Sequence, residues 1–383
     1  MKLRLIGAAL AAVMLSACGD KAADKPAGTA GAPGKPAAPA AEEPVLNVYN
    51  WSDYIAKDTL DNFIKETGIK VTYDTFDSNE TLEAKLVAGN TGYDVVVPSL
   101  TFLARQIQAG VFQPLDKAKL TNYGNIDPEI YSLIAKNDPG NTYAVNYLWG
   151  TTGIGYNVKK IREILGPDAP VDSWALFFDK KNLAKLKQCG VYVLDTPSEI
   201  LPLALNYLGE DPNSFDEAVI RKGEALLKDI RPYITQFHSS EYINALANGD
   251  ACIAIGWSGD VFQARDRAEE AGKGVEIAYV IPKEGAAVWF DMVAIPKDAQ
   301  HPDNAHKFIN YLLRPEVIAA ISNEVAYANA NKASLPMVDQ ELKDNPGVYP
   351  TPEASKKLFN LAVLPPEVDR LFTRIWTSLK TGD

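Results

Sequence analysis

The sequence predicts an α/β fold of two lobes, with mainly parallel sheets flanked by helices. Three observations carry this. Strand and helix patterns alternate along the chain, and such an order implies parallel sheets covered on both faces. Residues 45–383 number 339, more than one hydrophobic core usually serves. No repeat of fixed period is present.

Each element has its local signal. Leu46, Val48 and Tyr49 mark a first strand. A helix follows over Thr59–Thr67, with Asp58 as its N-cap and Gly68 as its stop. Ile69–Tyr73 reads as a second strand and Leu82–Ala88 as a helix. Asp94–Val97 is a short apolar strand bounded by Gly92 and Pro98. Helices are predicted near 199–208, 216–229 and 240–248. A strand over Ala251–Trp257 leads through Ser258-Gly259 into a helix starting near Asp260, with Gly259 allowing a tight turn. Ala287–Ile295 is a clear strand closed by Pro296, and Asp303–Leu313 is a helix ended by Arg314-Pro315. The stretch 333–383 is helical and punctuated by prolines.

The N-terminus reads as a targeting segment. Lys2 and Arg4 precede an uncharged run, Leu5 to Ala17, shorter than the ~20 apolar residues that span a bilayer. A basic start, a short apolar centre and small residues make a secretory signal. Leu15-Ser16-Ala17-Cys18 closes a signal segment over 1–18 and resembles a bacterial lipobox, which implies lipidation of Cys18 and cleavage just before it, leaving it as the new first residue. Asp20 resembles the signal that retains lipoproteins at the inner membrane. Residues 19–44 contain almost only small, charged and proline residues, and cannot bury enough surface to offset their ordering entropy. They are expected to be a disordered spacer between the anchor and a globular body.

The formal charge of −11 disfavours nucleic acid and anionic lipid as partners. It is compatible with a cationic ligand, although acidic surfaces mostly serve solubility. With Cys18 assigned to lipid, Cys189 and Cys252 remain as an even pair in an oxidising compartment. A disulfide is expected, with two buried free thiols as the alternative. Neither has the spacing of a metal site, and neither a metal nor a cofactor is expected.

Open α/β sheets bind ligands outside the carboxyl ends of their strands. That rule selects Asn50–Tyr54, Pro98–Thr101, Trp257–Asp260 and the strand containing Asp291. Three of these four segments carry both an aromatic and an acid. Trp289 and Asp291 lie two apart on a strand, so both project from one face. A protonated amine there meets an indole face, worth about 0.5–2 kcal/mol, and a carboxylate that adds a charge-assisted hydrogen bond. Taken singly, each residue has a plainer reading. A buried Trp is usually core, Asp260 at a helix start suits the dipole and serves as an N-cap, and Glu199 after Asp195-Thr196-Pro197 caps a helix too. Several acid–aromatic clusters at strand ends are better explained as a cage for a cation. A diamine, charged at both ends near neutral pH, matches two separated acids with aromatics between them.

Longer motifs then identify a family. Asn50-Trp51-Ser52-Asp53-Tyr54-Ile55, Val96-Val97-Pro98-Ser99 and Trp149-Gly150-Thr151-Thr152-Gly153-Ile154-Gly155-Tyr156-Asn157 recur in order with Gly256-Trp257-Ser258-Gly259-Asp260 and Tyr327-Ala328-Asn329-Ala330-Asn331. Together they resemble the periplasmic putrescine- and spermidine-binding proteins of bacterial ABC importers, nearest the putrescine branch, from about residue 46 to the C-terminus. The resemblance implies a type II periplasmic-binding fold with hinge strands and a ligand cleft between lobes. The lobes are expected at 45–149 plus 274–332 and at 150–273 plus 333–383.

Carried over motif by motif, the implied ligand shell is Trp51, Ser52, Asp53, Tyr54, Ser99, Glu199, Trp257, Asp260, Trp289, Asp291 and Tyr327. Asp291 would hold one ammonium, and Asp260 with Glu199 the other, partly through water. The cysteine positions also match a disulfide of this family. Two departures stand out: the lipid anchor with its spacer, and Trp289, where putrescine binders often carry Phe and spermidine binders often Trp. Thr101 and Thr196 sit where the two branches differ. Asp260 favours putrescine, with spermidine as the other candidate.

The resemblance implies a monomer that delivers its ligand to a permease with a separate ATPase subunit, touching the membrane only through its anchor. An enzyme is the rival class, since paired acids such as Asp260 and Asp291 could hydrolyse a glycosidic bond. Against it, no metal-protease helix, nucleophile elbow or phosphate loop is present, and Gly150–Gly155 lacks the dinucleotide spacing. His238, His301 and His306 read as structural or exposed, the last two on a predicted surface helix. Another solute in the same fold is the second rival. A sugar site would carry fewer unpaired acids, an amino-acid site would need a cation such as Arg, and a ferric site would need Tyr clusters.

Overall fold

β1 (Val45–Trp51) pairs in parallel with β2 (Lys70–Phe76) on one side and β3 (Val95–Val96) on the other. The computed structural model describes residues 42–382. The signal segment, Cys18, Asp20 and the spacer as far as residue 41 lie outside the described residues. Glu42, Glu43 and Pro44, expected in the spacer, are instead held against the body. The Glu42 carboxylate accepts the backbone N–H groups of Asp303 and Asn304, both at 2.9 Å, at the start of the Pro302–Leu312 helix. That is the anion position a helix N-terminus favours.

Seven further strands complete the sheet: β4 (Ala144–Asn157), β5 (Val191–Val193), β6 (Gln236–Phe237), β7 (Ile253–Trp257), β8 (Ile277–Val280), β9 (Ala287–Ala294) and β10 (Phe359–Asn360). The order is β2-β1-β3-β9-β4-β7-β5-β6, with β8 against β4 and β10 against β9. The outer groups are parallel, as the alternating pattern predicts. The junctions β3–β9, β9–β4 and β4–β7 are antiparallel. The sheet therefore has two halves, β2-β1-β3 and β7-β5-β6, joined only through the long strands β4 and β9.

β8 lies against the Ile154–Asn157 end of β4, beside the β7 half, although residue 274 was expected to open a return to the first lobe. The crossing occurs along β4 and β9, whose pairing slips between Asn146 and Trp149. Asn146 spans that bulge: its side-chain amide donates to Leu148 O at 3.1 Å and Asp291 O at 3.0 Å.

Helices follow their predicted positions with shifted starts. Thr59–Thr67 forms as expected and ends on Gly68 at φ +72°, but Asp58 makes no side-chain cap. The helix predicted from Leu82 begins at Asn79, because Ser78 Oγ accepts the Thr81 N–H at 3.2 Å. The helix predicted from Asp260 begins at Ser258. Gly259 is thus helical rather than a turn residue; it leaves room for Tyr327, whose ring a Cβ at 259 would meet at 2.5 Å. His306 is buried, not on a surface. Its Nε2 accepts the Asp116 N–H at 2.8 Å and its Nδ1 donates to Pro302 O at 2.6 Å.

One continuous apolar core runs beneath both halves. Leu46, Phe63 and Phe308 lie under the first, and Trp174, Phe177 and Phe178 under the second, all essentially closed to solvent. Cys189 and Cys252 form a disulfide with Cα atoms 5.4 Å apart, tying the approach to β5 to the start of β7. Between them Gly190 adopts φ +83° with Asp250 O only 2.1 Å from where a Cβ would stand, a place for glycine alone. No described helix is long and apolar enough to cross a membrane.

Candidate functional site

The segments selected by the sequence converge on one narrow cleft between the halves. β1 and the turn after it deliver Trp51, Ser52 and Tyr54, β2 and the residue after it deliver Phe76 and Asp77, and the turn after β3 delivers Ser99. From the other half come Glu199, Ser239, Ser240, Trp257 and Asp260. Trp289 and Asp291 on β9 and Tyr327 after the Pro315–Val325 helix complete the wall. Four carboxylates line the cleft, and no Lys, Arg or His does.

Asp291 is buried on β9 and held from two sides. Tyr54 OH donates to its Oδ2 at 2.8 Å, and Ser99 Oγ donates to its Oδ1 at 2.6 Å. Ser99 is itself fixed by Asn79, whose side chain donates to Ser99 Oγ and accepts the Ser99 N–H, both at 2.9 Å. Tyr54 is fixed through its carbonyl, which accepts Tyr147 OH at 2.7 Å. The acid is therefore positioned by hydroxyls on rigid elements, with no cationic partner.

Asp260 repeats the arrangement from the other half. Tyr242 OH donates to its Oδ2 at 2.8 Å and Tyr327 OH to its Oδ1 at 2.6 Å. It is not acting as a helix cap. Tyr54 and Tyr327, which serve the two acids, meet edge to face with centroids 5.1 Å apart. Two aromatic rings thus stand between two carboxylates. Trp289 packs edge-on against Tyr327 at 5.4 Å, and Trp51 against Trp257 at 5.4 Å.

Glu199 is the third buried acid. It sits in the first turn of the Pro197–Tyr207 helix, accepting Thr152 Oγ1 at 2.6 Å and Trp257 Nε1 at 3.1 Å. Thr152 in turn accepts Trp289 Nε1 at 3.2 Å, so Glu199, Trp257 and Trp289 form one connected wall.

Burial dominates the electrostatics. It pushes the Asp260 and Asp291 carboxyls up to about 7 against the lowering effect of their hydroxyl donors. Glu199 is raised for the same reason, with Thr152 and Trp257 opposing. A dication entering this cleft would supply the missing countercharges. The two aspartates share the same kind of environment and shift alike. A hydrolase needs its acid and base pushed apart, so the arrangement lacks that signature. Among the described residues no group of three or more His, Cys, Asp and Glu is placed to hold a metal ion.

Of the eleven residues expected in the ligand shell, ten line the cleft. Asp53 does not. It occupies a left-handed turn position at φ 53°, and its carboxylate pairs with Arg267 at 2.6 Å outside the cleft. Phe76, Asp77, Ser239 and Ser240 line it without having been singled out. Phe76 closes β2 and Asp77 follows it, beyond the Tyr73 at which the strand was expected to end, and Ser239-Ser240 come shortly after the two-residue β6, which leaves almost no pattern.

The putrescine-binding periplasmic protein PotF of Escherichia coli K12 is 58% identical over 344 residues, covering 89% of this chain and 93% of the relative. The putrescine-binding periplasmic protein SpuD of Pseudomonas aeruginosa is 54% identical over 342 residues, covering 89% and 93%. Among solved structures, the spermidine/putrescine ABC transporter substrate-binding protein PotD of Streptococcus pneumoniae superposes with a TM-score of 0.69 at 30% identity, covering 88% of this chain and 98% of that one. These bear out the resemblance read from the motifs and the choice of a binding protein over an enzyme. Residues 58–351 match the model of the bacterial extracellular solute-binding proteins, and the chain belongs to that family.

Proposed function

We propose that this chain captures a polyamine, putrescine before spermidine, and delivers it to an ABC permease energised by a separate ATPase subunit. The observation that carries the reading is the pair of buried aspartates, each held by two hydroxyls, facing a cleft with no basic lining. Asp291 takes one ammonium, and Asp260 with Glu199 takes the other. Trp51, Tyr54, Trp257, Trp289 and Tyr327 cover the methylenes between and exclude water, adding cation–π attraction at the ends. Ser52 and Ser99 complete the shell, while Asp53 contributes through its pair with Arg267.

The two sheet halves act as lobes that close on the ligand, with β4 and β9 as hinge strands. Ligand contacts with both lobes favour closure, and the closed monomer is what the permease recognises. Cys18 carries lipid that anchors the body to the outer face of the inner membrane, through the spacer. Spermidine is the second reading, favoured by a neighbouring hollow that shares Ser99, Glu199 and Trp289 with the cleft and extends past Thr101.

Calorimetric titration of the full chain, unfolded and refolded to strip carried-over ligand, tests this with putrescine, cadaverine, spermidine and spermine. Tight binding of putrescine over spermidine is expected. A spermidine preference makes Trp289 the determinant of the longer ligand. No heat with any of the four, from folded protein, overturns the polyamine reading.

A further inference from the structure

Away from the cleft, the two halves touch through a second set of groups on one flank. Glu80 and Glu83 stand on the Asn79–Ala88 helix and Arg105 on the Leu100–Gln108 helix, both in the β1–β3 half. Facing them are Ser198, in the first turn of the Pro197–Tyr207 helix, and Asp369, in the Pro366–Thr381 helix packed upon it. Ser198 Oγ donates to Glu80 Oε1 at 3.0 Å. Arg105 forks onto Glu83 and reaches Asp369 Oδ1 at 3.0 Å through its remaining nitrogen. One hydrogen bond and one ion pair therefore cross from half to half, and none of these side chains lines the ligand cleft.

Glu80 is the unusual member. Its Oε2 is shut off from solvent and has no partner among the described residues. An ionised carboxylate does not rest easily in such a place. Ser198 immediately precedes Glu199, the cleft acid that Thr152 and Trp257 hold from the other side. Fixing Ser198 therefore fixes the helix turn that presents Glu199. Because Glu80 and Ser198 belong to different halves, the contact exists only when the halves are together.

We propose that Glu80 is a positioning residue for ligand capture: it clasps Ser198 across the closed cleft, holds the turn that presents Glu199, and slows ligand release. The proposal rests on the polyamine reading. It has a proton signature. In the closed form burial pushes the Glu80 carboxyl up to about 7, against its own backbone N–H and Ser198, with Glu199 raising it and Arg105 lowering it. Glu83 and Asp369, the other charged groups on this flank, are neutralised by Arg105. With the halves apart, the carboxyl returns to its ordinary, lower range. Closure then takes up a proton at Glu80. The clasp is fully present at pH values below the open-form range and is lost as pH rises through about 7. The cleft aspartates respond with the opposite sign, since a dication favours their ionised forms, so the difference between wild type and a Glu80 variant isolates the clasp.

The test uses the full chain with putrescine as probe, from pH 5 to 8.5. Affinity and protons exchanged come from calorimetry in buffers of different ionisation enthalpy, and dissociation rates from stopped-flow Trp fluorescence. Glu80→Gln keeps an acceptor for Ser198 and does not titrate. It should bind within about fivefold of wild type at pH 5, at least about tenfold tighter than wild type at pH 8, and take up fewer protons between. Glu80→Ala and Ser198→Ala should release putrescine about three- to tenfold faster at pH 5, the scale of one hydrogen bond. Ser198→Ala keeps the test decisive should a Glu80 variant fail to fold. Wild-type proton counts in Glu80→Gln, together with wild-type release rates in the alanine variants, overturn the clasp alone. A wild type that binds no putrescine overturns the polyamine reading instead.

Discussion

At the scale of single residues, the site pairs acids with hydroxyls where a purely structural protein would pair them with bases. Asp291 accepts from Tyr54 and Ser99, Asp260 from Tyr242 and Tyr327. Without a cation each is a buried carboxyl that burial holds partly protonated near neutral pH. Binding and stability should therefore move in opposite directions when one charge is removed. Asp291→Asn keeps the shape and the Ser99 contact but loses the charged half of the interaction with an ammonium, worth about 1.5–3 kcal/mol. Putrescine affinity should fall by at least about tenfold in calorimetry. The same variant, without ligand at pH 8, should melt no lower than wild type, because it no longer carries a buried carboxyl forced to ionise. An unchanged affinity would remove Asp291 from the ligand shell.

At the scale of elements, what could be read in advance was whatever sits next to its own signal. Trp257–Asp260, at the end of a patterned strand, and Trp289–Asp291, within one, each join an aromatic and an acid, and the structure brings them together with Trp51 and Tyr54. The longest strand, β4, was seen only as a motif. Gly150, Gly153 and Gly155 weaken its strand pattern, yet each leaves space for a neighbour: Trp289 and Ser258, Tyr279, and Val261. Such packing reasons are invisible along a chain. So were Tyr242 and Asn79, which position Asp260 and Ser99 from 18 and 20 residues away. Asp53 illustrates the converse: it lies within a matching motif, but a left-handed turn aims it at Arg267.

The same scale governs the disulfide. Cys189 and Cys252 close a loop of 63 residues that contains β5, β6 and the helices behind Glu199. Loop-closure entropy over that length is worth about 4 kcal/mol. The double variant Cys189→Ser/Cys252→Ser should melt several degrees lower by calorimetry while keeping its affinity for putrescine within about threefold when folded. Loss of affinity in a folded double variant would mean that the bridge shapes the cleft as well as stabilising its half.

For the whole molecule, the cleft and the flank impose different costs on closure at different pH. The cleft acids are raised by burial, so in the ligand-free closed form their contribution to stability is present at acid pH and is lost as pH rises through about 7. A dication reverses this, because it binds the ionised forms. The stabilisation that ligand confers should therefore grow with pH. At fixed excess putrescine the rise in Tm should be small at pH 5, where the aspartates must give up protons to bind, and larger at pH 8, where they need not. Saturating ligand should also compact the molecule in small-angle scattering, most clearly at pH 8, where burying the unpaired acids disfavours closure of the ligand-free form. An increase in Tm that is the same at pH 5 and pH 8 would mean that Asp260 and Asp291 are already ionised before ligand arrives. The ligand-free molecule would then rest with its halves apart and its acids hydrated, and the compaction on binding should be correspondingly large at both pH values. Equal Tm shifts with no compaction would leave neither account standing and would remove hinge closure from the capture mechanism.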